Sequence, residues 1–474
     1  MPEFVNDWII VLNDWIWTYL LIFFLTVAGI YFTIQSRFVQ FRYFREMFRL
    51  LGQGISGSNS RTSVSSFQAF CIATASRVGT GNLAGVATAV ALGGPGAVFW
   101  MWMLALISAA TAFVESTLAQ LYKEKGEKSF IGGPAFYISR GLKKRGLGIL
   151  FAIIILITFG LVFNSVQANT IALAFKEIYG ISPFVGGGVL TFFTLATIFG
   201  GIHRVAKVAG ILVPLMAVAY ILVAFYILLD HLPQLPALIT HIVTNAFGIG
   251  QVVGGGIGAT VMQGVRRGLF SNEAGMGSAP NAAATASVSH PVKQGLIQAL
   301  SVFTDTLVIC SCTAFIILLS DVPLDGTLKG IQLTQAALQN EVGKFGAQFI
   351  AFSILLFAFS SIAGNYSYCE TNLFFISRNR LILQSYRLAV GAMVFFGSVA
   401  GLDLVWNLAD LTMAMMTLIN LTAIGLLGRF ALKALKDYQK QKKQGIKSPA
   451  FTARSIPEIE DRLTTWQTPP PHIP

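Results

Sequence analysis

Charge is what this sequence has least of. Asp, Glu, Lys and Arg make up 11% of its 474 residues, against about 25% in an average soluble chain. With 54% of the residues hydrophobic, too few polar side chains exist to cover the surface of a water-soluble fold. Histidine and cysteine are scarce as well. The five histidines stand in loops or at the ends of apolar runs, and His290, next to Pro291, reads as a solvated loop residue. Cys71, Cys310, Cys312 and Cys369 all fall inside apolar runs, so neither a disulfide framework nor a zinc site fits, and they read as small packing residues. There is no phosphate-binding loop either. No catalytic residues are expected, and the chain is not read as an enzyme.

Glycine and phenylalanine are abundant instead, at 46 and 38 residues, and glycine is commoner in membrane helices than in soluble ones. A hydrocarbon core of about 30 Å takes roughly 20 apolar residues per helix. Runs of that kind number about eleven, at roughly 8–34, 66–92, 95–122, 149–175, 184–201, 208–229, 240–265, 296–319, 348–376, 381–400 and 404–428. The first run lacks a basic leader and is long enough to span, so it reads as a helix and not as a cleaved signal. The formal charge of +12 is a topology signal and not a nucleic-acid surface. With the N-terminus outside, alternate loops collect every Lys and Arg except Lys176, Lys329 and Lys344 outside and Arg77 within a span. This is the positive-inside pattern. It predicts a multi-pass protein of the cell membrane, N-terminus outside and C-terminus cytoplasmic, with lipid as its surroundings and no obligate protein partner.

Residues 37–51 repeat Phe38, Phe41, Phe44, Met47, Phe48 and Leu51 among arginines, as an amphipathic helix on the inner surface requires. The tail, with its Lys-Gln run and Pro-Pro-Pro, reads as a flexible cytosolic extension. The expected organisation is a peripheral first helix (1–35), a cytoplasmic loop (36–65), two five-helix sets (66–229 and 240–428) and a basic tail (429–474).

Two runs are not ordinary lipid-facing helices. The second carries Ala75-Ser76-Arg77-Val78-Gly79-Thr80-Gly81-Asn82 at its centre. Glycine lets a backbone leave helical geometry, and irregular backbone at membrane depth survives only where it lines a cavity. Close packing through small residues accounts for the glycines but not for Arg77 or Asn82. The seventh repeats the theme with Gly254 to Gly258 and Gln263-Gly264, leading into Ser271-Asn272-Glu273-Ala274-Gly275-Met276-Gly277. The two lie five spans apart and so run in opposite directions. Paired interruptions in corresponding positions point to the central site of a transporter built from inverted repeats, with free N–H groups for an anion and carbonyls for a cation. Arg77 and Asp305 both sit about halfway along their spans. They could form an ion pair gating the inner path, place Asp305 beside a cation, or be a structural salt bridge. Glu115 and Asp410 lie nearer span ends, where water could reach them.

Three stretches carry a resemblance: Val78 to Ala89, Gly93 to Trp102, and Ser271 to Pro280. With the topology, they resemble the alanine/glycine:cation symporters, sodium:amino-acid carriers with the leucine-transporter fold. The resemblance implies an all-α membrane protein of about eleven helices, with an inverted repeat of five plus five. It implies sodium-coupled symport of a small neutral amino acid, alanine or glycine, into the cell by alternating access. It further implies that N–H groups at Gly79, Thr80 and Gly81 receive the substrate carboxylate. Na⁺ would be held by carbonyls at Ala75 and Val78 and hydroxyls at Ser360 and Ser361, in keeping with a hard cation's demand for oxygen. Gln167 on the fourth span would partner the substrate's carboxylate or ammonium, or act as interhelical glue. Asn272 and Met276 match the family's pocket contacts by motif. Two departures stand out: Asn365 replaces a tryptophan common in the family, which would enlarge or polarise the pocket, and Ser108 replaces a glycine. Asn365 leaves open a sodium symporter for a larger polar amino acid such as glutamine, while Ser108 bears on packing; a separate alternative is a proton-coupled permease with Asp305 or Glu273 as carrier.

Overall fold

The computed structural model describes residues 3–56, 64–126, 129–248, 256–324 and 326–467. Among them the chain is almost wholly helical. Eight helices are long and apolar enough to cross a membrane. They are α1 (Trp8–Gln35), α5 (Gly96–Leu121), α7 (Arg145–Tyr179), the Lys207–Asp230 part of α9 (Gly201–Asp230), α13 (Pro291–Leu319), α14 (Ile331–Ile376), α15 (Arg380–Val399) and α16 (Leu402–Lys443). Between them run α2 (Phe44–Ser56), α3 (Ser66–Arg77), α4 (Gly81–Gly93), α6 (Pro134–Gly141), α8 (Pro183–Ile198), α10 (Leu235–Ala246), α11 (Gly256–Asn272) and α12 (Ala279–Thr285). A two-residue hairpin, β1 (Glu124–Lys125) with β2 (Phe130–Ile131), follows α5.

Both expected interruptions fall at breaks between helices, and the second glycine-rich stretch is followed by a further break at Glu273 to Gly277. Helix α3 begins at a capping box: the Ser65 hydroxyl accepts from the Gln68 N–H at 3.1 Å, and the Ser65 N–H donates to Gln68 Oε1 at 3.0 Å. It stops at Val78, which turns to φ −77°, ψ 94°, and the chain resumes as α4. The second glycine-rich stretch has a longer course. The run expected at 240–265 divides between α10 and α11, and α11 continues as helix through Gly264 to Asn272. Besides Gly248 ahead of α11 and Gly256 at its start (φ 77° and 63°), the described backbone turns at three residues past it: Glu273, Gly275 and Gly277, with φ values of 54°, 89° and 86°. Two glycines make the second and third of these inexpensive; Glu273 is a non-glycine residue in the left-handed region, a conformation that clusters at functional sites. Gly254 and Gly255 lie outside the described residues.

Because α11 runs on to Asn272, Arg266 and Arg267, expected in a cytoplasmic loop, lie inside a helix. Arg267 is buried and paired with Asp410 of α16, and its guanidinium lies 4.5 Å from the Trp406 ring centre. Asp410 and Glu115, expected near water, are both buried. The amphipathic segment is real but divided at Tyr43: Phe38, Phe41, Phe44 and Phe48 face outward, whereas Met47 and Leu50 pack inward. Helix α14 kinks at Val342 and Gly343. Its outer arm reaches over the first interruption, where Thr334 Oγ1 donates to the Leu83 carbonyl at 3.0 Å.

The tail is not a loose extension. Helix α16 continues past the apolar stretch to Lys443, the chain turns at Gly445 (φ 80°), and residues 446–467 fold back over the ends of α5 and α6 and against Ser289, just past α12. Phe451, Ile456, Ile459, Leu463 and Trp466 are all buried. This apolar set supplies the burial that the Lys-Gln composition hid. His290, expected in solvent, is buried under the tail: its ring meets those of Tyr438 and Phe451 at 5.0 and 5.3 Å, and Nε2 lies 3.2 Å from Asp437. Burial lowers its pKa below the ordinary histidine value, with Asp437 pulling the other way.

Candidate substrate and cation site

The site is assembled where the break of the second span meets α7, α11 and α14. Gly79 has no room for a side chain. A Cβ there would run into Ser361 Oγ and would stand 2.9 Å from Gln167 Oε1. Gly81 is similarly tight, since a Cβ would come within 3.0 Å of Phe270 and 3.1 Å of the Ser271 Cα. These contacts explain the Gly-Thr-Gly sequence as close approach.

Two of the three N–H groups expected to receive a carboxylate, those of Gly79 and Thr80, are held by side-chain oxygens. The Thr80 N–H donates to Gln167 Oε1 at 3.0 Å, the Thr80 hydroxyl to the same oxygen at 2.7 Å, and the Gly79 N–H to Asn82 Oδ1 at 3.0 Å. The Gln167 amide oxygen thus sits as a carboxylate oxygen would, accepting from a backbone N–H and a hydroxyl at once.

Three of the four expected cation ligands converge. Ser361 Oγ lies 2.8 Å from the Ala75 carbonyl and 3.4 Å from the Val78 carbonyl. Its single hydroxyl proton is within reach of these carbonyls, at the end of α3, and of Phe357 O in its own helix at 3.0 Å. An alkali cation among the same oxygens would take the Ser361 lone pair in that proton's place. Ser360 does not join them: its hydroxyl donates to Phe357 O at 2.8 Å within its own helix. Accordingly Ser361→Ala is expected to raise the half-saturating sodium concentration of uptake about tenfold, the cost of one charge-assisted contact. Ser360→Ala should leave a sodium titration near wild type.

The remaining expected residues lie around this centre. Asn365 is one turn below Ser361 on α14, and its amide is fully used: Nδ2 donates to Asn164 Oδ1 at 3.0 Å, and Oδ1 accepts from Ser76 Oγ at 2.6 Å. Asn272 Oδ1 accepts from the Ala274 N–H at 3.0 Å, which holds the end of α11, while its Nδ2 is buried without a partner. Met276 is buried inside the break past α11. Arg77 and Asp305 are not an ion pair. Arg77 is hydrogen-bonded to Ser301, whereas Asp305 accepts from Asn82 at 2.7 Å, Ser271 at 2.7 Å and Thr306 at 3.0 Å.

Asn164 and Asn420 belong to this centre and were not singled out from the sequence. Ser76, Asn164 and Glu273 join Asn365 in one network, since Ser76 Oγ also reaches Glu273 Oε1 at 2.8 Å. Glu115 and Asn420 brace the break past α11: Glu115 accepts from the Gly275 N–H at 3.2 Å and from Asn420 at 2.8 Å, and Asn420 donates to the Gly275 carbonyl at 2.9 Å. The available signal was polarity at membrane depth, where an unpaired group is costly and polar side chains mark function.

The sequence model described as "Sodium:alanine symporter family" matches residues 2–453. This chain belongs to that family. It is 53% identical over 451 residues to "Probable sodium/glutamine symporter GlnT" of Bacillus subtilis (strain 168), covering 95% of this chain and 94% of the relative. It is 53% identical over 467 residues to "Amino-acid carrier protein AlsT" of the same organism, covering 98% and 99%. It is 39% identical over 414 residues to "Sodium/proton-dependent alanine carrier protein" of Bacillus sp. (strain PS3), covering 84% and 93%. The protein is therefore a multi-pass membrane protein of a sodium-coupled amino-acid symporter family, with Na⁺ as the coupling ion. The family consists of transporters and not of enzymes.

Proposed function

We propose that this family member carries one small neutral amino acid, alanine or glycine first, into the cell with Na⁺ by alternating access. The observation that supports this most is the meeting of Ala75 O, Val78 O and Ser361 Oγ one residue away from the Gly79–Thr80 N–H groups held by Gln167. A cation and a carboxylate placed there would neutralise one another, which lowers the cost of carrying either charge through a low-dielectric centre. Gly79, Thr80, Gly81 and Gln167 would then hold the carboxylate end of the substrate, with Asn272, Met276 and Asn365 around the rest. On this reading α3–α9 and α11–α16 form two inverted sets of five spans, with α1 outside them. The chain then crosses eleven times, with the N-terminus outside and the tail cytoplasmic.

Uptake of labelled alanine, glycine and glutamine into proteoliposomes tests the reading. Alanine or glycine accumulation should require an inward sodium gradient and stop when potassium replaces sodium; accumulation indifferent to that replacement would sink it. One observation favours glutamine as a second candidate. The Asn365–Asn164 amide pair lies one turn from the Ser361–Gln167 level, and the 53% identical relative is described as a probable sodium/glutamine symporter. Glutamine outcompeting alanine in the same assay would decide for it.

A further inference from the structure

The cytoplasmic strap formed by residues 446–467 touches the elements that an inward-opening transporter must part. Trp466 Nε1 donates to the Gln120 carbonyl at the end of α5 at 2.9 Å, and Thr465 Oγ1 to the Lys123 carbonyl at 3.3 Å. The two residues so held reach across to the far end of α12, the inner half of the second broken helix. Gln120 Nε2 donates to the carbonyls of Ala283 at 2.5 Å and Ala286 at 3.0 Å, and Lys123 Nζ to Ala286 at 2.9 Å. These are carbonyls at a helix C-terminus, where the negative end of the helix dipole favours donors. The same Ala286 forms a parallel bridge with Val64, and the Ser287 N–H donates to the Val64 carbonyl at 3.1 Å, just ahead of α3.

The strap is anchored on its other side too. Phe451 N–H donates to the Ser289 carbonyl at 2.9 Å and Ser289 Oγ to the Pro449 carbonyl at 2.8 Å. Arg462 donates to the Gly141 carbonyl of α6 at 3.0 Å. Ala453 N–H donates to the Trp466 carbonyl at 2.8 Å, and the Phe451 and Trp466 rings meet edge to face at 5.5 Å. Both ends of the strap therefore converge on one buried aromatic pair. Trp466 fills that position with its only polar atom spent on Gln120, so ring and hydrogen bond report on the same contact.

We propose that this strap is a latch, with Trp466 as its pin, that holds the inner ends of both broken helices closed until the substrate-loaded protein opens inward. The proposal rests on the alternating-access reading above. In that mechanism one set of helices rocks against the other around a central site, so contacts joining α5, α12 and the start of α3 bias the equilibrium toward the closed inner face. Because the bias is a differential contact between two states, removing it shifts their populations without changing either binding site.

Cys71 supplies a native reporter. It lies fully buried in α3, between the Val64 junction and the break, and inward opening would wet it. The rate at which N-ethylmaleimide labels Cys71, mapped by peptide mass spectrometry, is measured on the full-length protein in proteoliposomes. In wild type the rate must differ between sodium with alanine and potassium alone; without such a difference the alternating-access reading itself fails. Given that difference, Trp466→Ala is expected to raise the labelling rate about tenfold, the scale of a typical coupling. Trp466→Phe, which keeps the ring packing and loses only the bond to Gln120, should raise it by less. Labelling at the wild-type rate in both variants would overturn the latch, and the mild Phe variant decides alone should the Ala variant not fold.

Discussion

Replacing Gly79 with alanine should lower sodium-driven uptake by about 100-fold, the scale of loss that a displacement of about 1 Å at a reacting or binding centre produces. The reasoning is steric. The added methyl would stand in the space now taken by Ser361 Oγ and Gln167 Oε1, so the variant must displace a cation ligand, a substrate ligand or both. Gly79 has no positive φ among the backbone exceptions, so alanine brings no strain of its own and should leave the thermal unfolding temperature close to wild type. Loss of uptake with folding retained would separate a binding defect from a folding one. A Gly79→Ala protein that still takes up alanine with a normal sodium dependence would place the site elsewhere. Gly364 offers a contrast: a Cβ there would stand 2.9 Å from the Ser76 N and 3.2 Å from the Ile72 O of α3, so its substitution pries helices apart and should reduce stability as well as transport.

Much of this centre was legible in the sequence because the membrane makes polarity expensive. Gln167, Ser361 and the Val78-Gly79-Thr80-Gly81 run stand out in apolar stretches, and the structure gathers them within hydrogen-bonding distance. The further break past α11 was harder to place. Gly254 to Gly258 and Gly275 to Gly277 look alike as text, since glycine permits positive φ without requiring it. What places the break at Glu273 to Gly277 is the brace from Glu115 and Asn420, residues about 160 and 145 positions away in the chain. No local pattern carries that information. The tail was misread for a similar reason. Its lysines and glutamines describe the side turned to water, while Ile456, Ile459, Leu463 and Trp466 recur every three or four residues as an apolar face that the overall composition of the tail hides. They are buried by elements that end more than 150 residues earlier, such as the α5 terminus that holds Trp466 across 346 residues.

The ion pair between Arg267 and Asp410 gives the largest expected loss of stability. Both side chains are buried, Arg266 stands 3.6 Å from the same carboxylate oxygen, and Trp406 covers the guanidinium of Arg267. Asp410→Asn would leave two guanidinium groups facing an amide that cannot neutralise either. Removing one partner of a buried pair costs about 3–5 kcal/mol, here compounded by the like charges left beside one another. The double change Arg267→Met with Asp410→Leu removes Arg267 and its counter-charge together and leaves Arg266 to Asp14 at 3.5 Å, and such apolar replacements are often neutral or stabilising. Thermal unfolding in a fixed detergent should therefore rank wild type and the double variant close together, with Asp410→Asn well below both. A single variant as stable as wild type would mean that water reaches this pair. In that case α11 and α16 would be held by the aromatic contact of Phe270 with Trp406, whose ring centres are 4.8 Å apart, and not by charge.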